Sequence, residues 1–486
     1  MYFNIKALLE ETEEWNKENT SIYKRVYNAF KDLILKKAIP NNTQLPPTRV
    51  LAKDLNVSRS TIIKAFDLLC FERFIISKKG SGYYVNYIVS EIKVEEKESN
   101  NIKYPKISKR AKQFLKHQYV NTDNFSKTNI AFRPGLPPLD IFPIHKWKQV
   151  SNNYWRETTP TNLSYAPTAG LESLQISIMN YLRIYRNLHC NFNQIIITSG
   201  SLHSLYLIGN ALLDKGDEII MENPTFPRAY NLFKSLKATI IPCNVCSEGI
   251  CIDSIENKKA KLIYTTPSNQ YPLGIKMSKN RRKELLEYAS KNNSLIIEDD
   301  YDHEFSNWEN PIPSVFSLDN EKRVIYIGTF NKLLHPSLRI GYMIVPKYLI
   351  NPIKSIYEQS SRFVSVHLQE QLQEFIKKDH LNKHIRNVIS VSEKRKTDFI
   401  NQTKNIFNIS KHFDGLHLIG KFKSDFDDKK IYQELLKREV VAYPLSNYYI
   451  TKEKQSGLVM GFSSVNEKVM KEKTQQMNFL FNSLKS

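Results

Sequence analysis

The stretch RVIYIGTFNKLLHPSLRIGYMIVP, residues 323–346, runs through the apolar segment Val324–Ile327 into a polar turn that carries Lys332. A short apolar run rich in β-branched and aromatic residues, closed by a turn, reads as a buried strand. A lysine amine held close at such a strand end, partly out of water, forms a Schiff base with an aldehyde. Upstream, SLIIEDDYDHEF (294–305) is a second apolar run, and it ends in Asp299 with Asp300 beside it as the alternative carboxylate. A pyridine-ring aldehyde needs a carboxylate on its ring nitrogen, because the protonated ring is the better electron sink. A third stretch, IIITSGSLHSLYLIGNALL (195–213), reads as strand, glycine turn and helix. The N–H groups and dipole of such a helix start suit a phosphate. Aldehyde partner, ring partner and phosphate cup together point to pyridoxal 5′-phosphate (PLP).

Around these three segments lie further apolar runs, QIIIT, DEIIM, ATIIPC and AKLIYTT. They are separated by helical patterns such as SLHSLYLIGNALLDKG and SKNRRKELLEYASKN. That βα alternation predicts an α/β domain with a mostly parallel sheet over residues 128–486. In open α/β sheets, ligands bind outside the carboxyl ends of the strands, where Lys332 and Asp299 stand.

The chain has 486 residues, too many for one ordinary core. Hydrophobic residues at 41% are enough to bury several. The formal charge is +21, from 70 Lys+Arg against 49 Asp+Glu, which favours polyanionic partners. The sequence opens on Glu10, Glu11, Glu13 and Glu14 rather than on a basic-then-apolar leader, and no run of 18 apolar residues follows. With five cysteines, an odd number, a reducing cytoplasm is the expected compartment. Cys243, Cys246 and Cys251 lack a second pair or a nearby histidine to complete four ligands, so no metal site is expected. Residues 87–127, with VSEIKVEEKESNNIKYPKISKR at 89–110, read as a linker with one short helix in KRAKQFLKH.

Residues 20–86 differ from both. Apolar positions Ile22, Val26, Ala29, Phe30, Leu33 and Ile34 stripe one helix. A short helix in TRVLAKDLN, the turn Asn56-Val57-Ser58 and a second helix capped by Ser58 then form a helix-turn-helix. FIISKKGSGYYV (74–85) adds two short β runs with Lys78 and Lys79 at the tip, a wing. Ser21 to Gly80 holds 12 Lys+Arg and 4 Asp+Glu, a surplus of eight. LPPTRVLAKDLNVSRSTIIKAFDLL (45–69) with the GSGYYV wing resembles the GntR family of bacterial regulators. The resemblance implies double-stranded DNA as partner, with contacts from Arg49, Ser58, Arg59, Thr61, Lys78, Lys79 and the wing near Gly82. Arg73 departs from it, standing where the family often has glycine.

The larger segment resembles fold-type I PLP proteins, the aspartate aminotransferase fold. More closely, it resembles the aminotransferase-like domain of the MocR subfamily of GntR regulators, from FRPGLPPLDIFP (132–143) to LVMGFSS (458–464). The resemblance implies Lys332 as the Schiff-base lysine, Asp299 at the ring nitrogen, and Tyr301 and Asn269 at the ring hydroxyl. It implies Phe226 stacked on the ring, and Ser199, Gly200, Ser201, Thr329 and Arg339 on the phosphate. Tyr165 would reach the phosphate from a second subunit of a homodimer, and Arg228 would take the carboxylate of an amino-acid effector. Tyr165 and Phe226 also read as core aromatics, and Arg228 as a surface arginine. His203 and Tyr271 are nearby polar candidates without a role.

Two readings follow. In the first, the chain is a PLP-dependent transcription regulator that senses an amino acid or PLP. In the alternative it is an active aminotransferase with a vestigial DNA-binding head. Val459 favours the first: transaminases usually carry near it an arginine that clamps the substrate carboxylate, and a bidentate arginine supplies much of the orientation. Asn331 before the lysine and Asn269, where many subfamily members have histidine, are further departures.

Overall fold

The computed structural model describes residues 5–17, 20–86, 105–115, 131–305, 311–409 and 414–484. The chain divides into two units, Met1–Lys106 and Ile107–Ser486. Most of the expected linker lies outside the described residues. Within its span, a helix covers Lys109–Leu115, where KRAKQFLKH suggested one.

In the first unit, helices α1 (Ile5–Glu10), α2 (Ile22–Leu35), α3 (Thr48–Asp54) and α4 (Arg59–Phe71) precede a hairpin of β1 (Ile75–Lys78) and β2 (Gly82–Val85). The stripe of α2 packs Val26, Ala29, Phe30 and Leu33 against Ile62, Ala65, Phe66 and Leu69 of α4. Phe30 and Phe66 meet edge to face, their centroids 5.5 Å apart. Ile22, at the head of the stripe, stays exposed. The packed head also reaches before residue 20: α1 adds Ile5 and Leu9 to the same core, and the Arg25 guanidinium lies over Trp15 at 5.3 Å. A six-residue helix is too short to show a period in the sequence.

Ser58 caps α4, its Oγ accepting from Thr61 N at 3.1 Å. The far end of α4 closes as a Schellman turn, with Phe74 N donating to Leu69 O and Arg73 N to Cys70 O. Arg73 therefore sits in the left-handed region, φ 64°. A side chain there costs about 1–2 kcal/mol that glycine does not.

In the second unit, an eight-stranded sheet is built, among the described residues, from β3 (Ile195–Thr198), β4 (Glu218–Asn223), β5 (Thr239–Cys246), β6 (Gly249–Ile250), β7 (Leu262–Thr265), β8 (Leu295–Asp299), β9 (Val324–Thr329) and β10 (Gly341–Ile344). The order is β3-β10-β9-β8-β7-β4-β5-β6. Strands β9, β8, β7, β4 and β5 are parallel neighbours, while β10 runs antiparallel between β3 and β9. Both faces are covered, which is why the strands read as continuous apolar runs. Ile195 and Ile197 face one core with the helices Glu172–Arg186 and Val366–Lys377. Ile196 faces the other, with the helices Ser201–Leu212 and Ile350–Ser360. A second sheet, order β11-β12-β14-β13, follows from β11 (Phe407–Ile409), β12 (His417–Phe422), β13 (Tyr443–Pro444) and β14 (Leu458–Gly461).

Replacing Arg73 with glycine is expected to stabilise the head by about 0.5–1 kcal/mol, because the left-handed turn is kept and its side-chain strain removed. Chemical denaturation of the full chain, followed at the head's own transition, reads this out; a loss of stability would mean that the Arg73 side chain holds more than its backbone costs.

Candidate functional site

The parallel strands deliver their polar ends to one edge of the sheet. Asp299 ends β8. Its Oδ2 accepts from Tyr264 OH at 2.9 Å, and its Oδ1 is buried with no hydrogen-bond partner. Burial, seconded by Asp300, pushes this carboxyl up to about 7, against the pull of Tyr264 and Lys332. Asp300 has other partners: Arg186 Nε at 2.8 Å and Tyr326 OH at 2.6 Å. Against the effect of burial, Arg186 and His303 hold it well below the usual carboxylate range. Each of the two has a buried Oδ1 with no hydrogen-bond partner, but only Asp299 acts by its charge on Lys332, while Asp300 is committed to Arg186.

Lys332 follows β9 and its Nζ donates to Gly135 O at 2.8 Å. A side chain at position 135 would overlap that nitrogen, so the close approach requires glycine. Burial lowers the amine below the usual lysine value. Arg133 and Arg228 add to this, while Asp302 and Asp299 oppose it. A site that lowers a lysine in this way raises the fraction of free amine.

Tyr301 OH donates to Asn269 O at 2.9 Å. Phe226 is half-buried, and Tyr271 stands edge-on to it at 5.7 Å and to Tyr301 at 5.8 Å. Tyr271, without a role in the sequence reading, is thus the hub of these rings, and His417 lies 4.9 Å from it.

At the neighbouring strand end, Gly200 caps the helix Ser201–Leu212 with φ 104°, a conformation open to glycine. The first N–H groups of that helix have no intrahelical acceptor. A Cβ on Gly200 would lie 3.3 Å from Asn331 Nδ2 and 3.7 Å from Arg339 Nη1, so these side chains line the same cup. Thr329 Oγ1 accepts from Asn331 N at 3.2 Å. Ser199 N and Oγ both meet His203 Nδ1, at 3.1 and 2.9 Å. Burial, with Arg339 adding to it, lowers His203 to about 4. At neutral pH the ring is therefore neutral and accepts from Ser199 N–H.

Two expected residues stand apart. Tyr165 is 75% exposed, under the Arg362 guanidinium at 4.5 Å, and is not a core residue. Arg228 is exposed in the first turn of the helix Pro227–Ser235, close enough for its charge to act on Lys332. Val459 is buried in β14 between Ile419 and Tyr443.

Two buried carboxylates were not foreseen. Glu222, at the end of β4, accepts from Thr265 Oγ1 at 2.5 Å, Thr266 N at 3.2 Å, Thr266 Oγ1 at 2.9 Å and Gln270 Nε2 at 3.2 Å. It pins the loop that presents Asn269, and its only signal was an acid closing the apolar run EIIM. Asp302 accepts from Asn269 Nδ2 at 2.6 Å.

In the head, Arg49 and Arg59 are exposed on the first turns of α3 and α4. Ser58 and Thr61 share their hydroxyls at 2.7 Å. Lys78 Nζ lies over the Tyr84 ring at 4.4 Å, Lys79 is exposed in the turn, and Gly82 begins β2 with φ 102°. Gln44 Nε2 braces the hairpin through Ser81 O at 2.7 Å.

Parallel sheet, strand-end lysine and carboxylate, and glycine-capped helix define the class of the large unit. Residues 134–469 match the aminotransferase class I and II family, and residues 22–85 match the bacterial regulatory proteins of the gntR family. The chain belongs to the HTH-type transcriptional regulators that join these two parts. It is 29% identical over 469 residues to the probable rhizopine catabolism regulatory protein MocR of Rhizobium meliloti, covering 96% of this chain and 94% of that one. To the uncharacterized HTH-type transcriptional regulator YdeL of Bacillus subtilis it is 32% identical, over 93% of this chain and 95% of that one. Among solved structures, the kynurenine aminotransferase of Pyrococcus horikoshii, in complex with PMP, superposes with a TM-score of 0.69 at 26% identity, over 76% of this chain and 95% of that one. Among the described residues, no helix is long and apolar enough to cross a membrane.

Asp299 gives a pH dependence opposite to that of an ordinary carboxylate. Its folded value lies above the unfolded one, so the folded state holds the proton more tightly, and stability falls as pH rises from about 4 to about 7. Without cofactor, Asp299→Asn is expected to gain about 2–4 kcal/mol over the parent at pH 8 and little at pH 4. Denaturant melts at the two pH values measure this; an equal effect at both would assign Asp299 no such penalty.

Proposed function

We propose that this regulator binds PLP on Lys332 and that an amino acid, or PLP itself, acting at that site biases DNA binding by the head. The observation that carries the reading is the pairing of a desolvated amine on Lys332 with a buried, unpartnered oxygen on Asp299. A carboxylate taken out of water without a cation is costly, and a protonated ring nitrogen is the partner that would satisfy it. When bound, PLP supplies an aldehyde that bonds an amine and a ring that withdraws electrons from it.

In this reading Lys332 holds the aldehyde carbon and Asp299 the ring nitrogen. Tyr301 and Asn269 flank the ring oxygen, and Phe226 covers the ring. Ser199, Gly200, Ser201, Thr329 and Arg339 take the phosphate, with Tyr165 added by a partner subunit. Tyr165 is exposed, as a residue that reaches a partner subunit's site in a homodimer must be. Arg228 takes the effector carboxylate. Val459 leaves the small sheet without a clamping cation at that position, which supports sensing over completed transamination. The head, through Arg49, Ser58, Arg59, Thr61, Lys78, Lys79 and Gly82, meets phosphates and base edges of double-stranded DNA in the cytoplasm.

Titration of the PLP-loaded protein with single amino acids, followed by absorption, tests the sensing. One amino acid is expected to move the visible band without producing a keto acid, and Lys332→Ala is expected to abolish the band. Steady keto-acid production dependent on Lys332 would establish the aminotransferase reading instead. On the DNA side, Arg59→Ala is expected to weaken binding to the protein's own upstream DNA about tenfold and to reduce the salt slope by about one contact. An unchanged affinity and slope would remove Arg59 from the interface.

A further inference from the structure

His203 stands in the first turn of the helix Ser201–Leu212, three residues after Gly200, and the cofactor reading gives it no role. Its Nδ1 meets Ser199 N at 3.1 Å and Ser199 Oγ at 2.9 Å, and its Nε2 meets Ser361 Oγ at 3.2 Å. A backbone N–H can only donate, so Nδ1 is an acceptor. Nε2 then carries the ring proton and donates to Ser361 Oγ. Burial, with Arg339 adding to it, lowers the imidazole to about 4, so no second proton disturbs this tautomer near neutral pH. Tyr357, buried in the helix Ile350–Ser360, stands edge-on to the imidazole at 4.9 Å and 84°.

Nδ1 offers one lone pair. The Ser199 N–H, whose direction the backbone fixes, takes it. The Ser199 hydroxyl can rotate, and is left to donate elsewhere. Beside it lies the cup, where Gly200 has φ 104° and faces Asn331 and Arg339. The N–H groups that open the helix at Ser201 have no intrahelical acceptor. One N–H of the turn is thus spent on the imidazole, and the donors next to it are left for an anion. Ser361 caps the end of the helix Ile350–Ser360, its N donating to Tyr357 O at 3.1 Å. The imidazole therefore ties the turn at the head of one helix to the tail of another.

We propose that His203 is a positioning residue that makes the site selective for a phosphorylated aldehyde: Nδ1 holds the Ser199 amide, Nε2–H braces the ring on Ser361, and the Ser199 hydroxyl is thereby kept for the phosphate. Without the imidazole, the Ser199 N–H loses its acceptor and the turn loses its brace, so donors that were preset must be ordered at binding. Only the phosphate end of the ligand meets these groups; the aldehyde end, at Lys332, does not. This role rests on PLP being bound at Lys332 with its phosphate at Ser199–Ser201.

The test compares PLP with pyridoxal, the same aldehyde without the phosphate, through the visible band each forms with the full-length chain freed of cofactor. The two affinities are taken as a ratio within one variant, so a general weakening of the fold cancels. His203→Phe keeps a ring against Tyr357 and removes both hydrogen bonds. It is expected to lower the ratio of PLP to pyridoxal affinity about tenfold. His203→Gln, with an amide oxygen and NH₂ in place of the two nitrogens, is expected to bring the ratio back to within about threefold of the parent. Ser361→Ala is expected to lower it about threefold by itself, and no further when added to His203→Phe. An unchanged ratio in His203→Phe, whether both affinities hold or fall together, would overturn the selectivity and leave His203 a packing residue. A Gln variant no better than Phe would overturn the hydrogen-bonding role, and a further fall on adding Ser361→Ala to His203→Phe would overturn the brace. Absence of any visible band with PLP in the parent, or its survival in Lys332→Ala, would count against PLP on Lys332 rather than against His203.

Discussion

The large unit is organised around charges taken out of water at the edge of a parallel sheet. Lys332, Asp299 and Asp302 are all desolvated, and the lysine both acts on each carboxyl and is acted on by both. A single ionised group in such a place would be intolerable; a cluster of opposite signs with spare oxygens is tolerable, and it remains hungry for a ligand that brings its own cation. Asp300, one residue away, shows the other solution to the same problem. Arg186 and Tyr326 bind its Oδ2 within the fold, and Arg186 brings the compensating charge.

That corner exists because the sheet brings strand ends together that are far apart in the chain. Parallel pairing of β7, β8 and β9 sets Tyr264, Asp299 and the turn bearing Lys332 side by side. The antiparallel β10 joins β9 to β3 and so brings the Gly200 turn to the same edge, with Arg339 arriving just before β10. Glu222 fastens the loop that carries Asn269, and Gly135 brings a distant segment within reach of the lysine. The corner is a product of topology as much as of residue choice.

Much of this was legible beforehand. The apolar runs at 195–198, 218–221, 262–265, 295–299 and 324–329 are strands, because a parallel sheet buried on both faces leaves an unbroken apolar signature. The head was legible because α2 and α4 carry helical stripes and Ser58 is a strong cap. Helix α1 and the four-stranded C-terminal sheet were not, since their segments are short and their burial is decided by distant partners. Asp302 and Glu222 escaped for a related reason. A buried carboxylate and an exposed one are spelled alike, and only packing tells which oxygens find donors.

The sequence by itself determined the two-part construction, the order of the strands along the chain, and the strand-end lysine and carboxylate, because periodicity, caps and glycine turns are local properties written in consecutive residues. Only the tertiary structure decided that Asp300, and not Asp299, is tied up by Arg186, that Tyr165 is exposed, and which end of the Asn269 amide is left unspent. Those outcomes depend on burial and on hydrogen-bond partners as many as 145 residues away, as Asn269 and Asp414 show, and no local pattern encodes them.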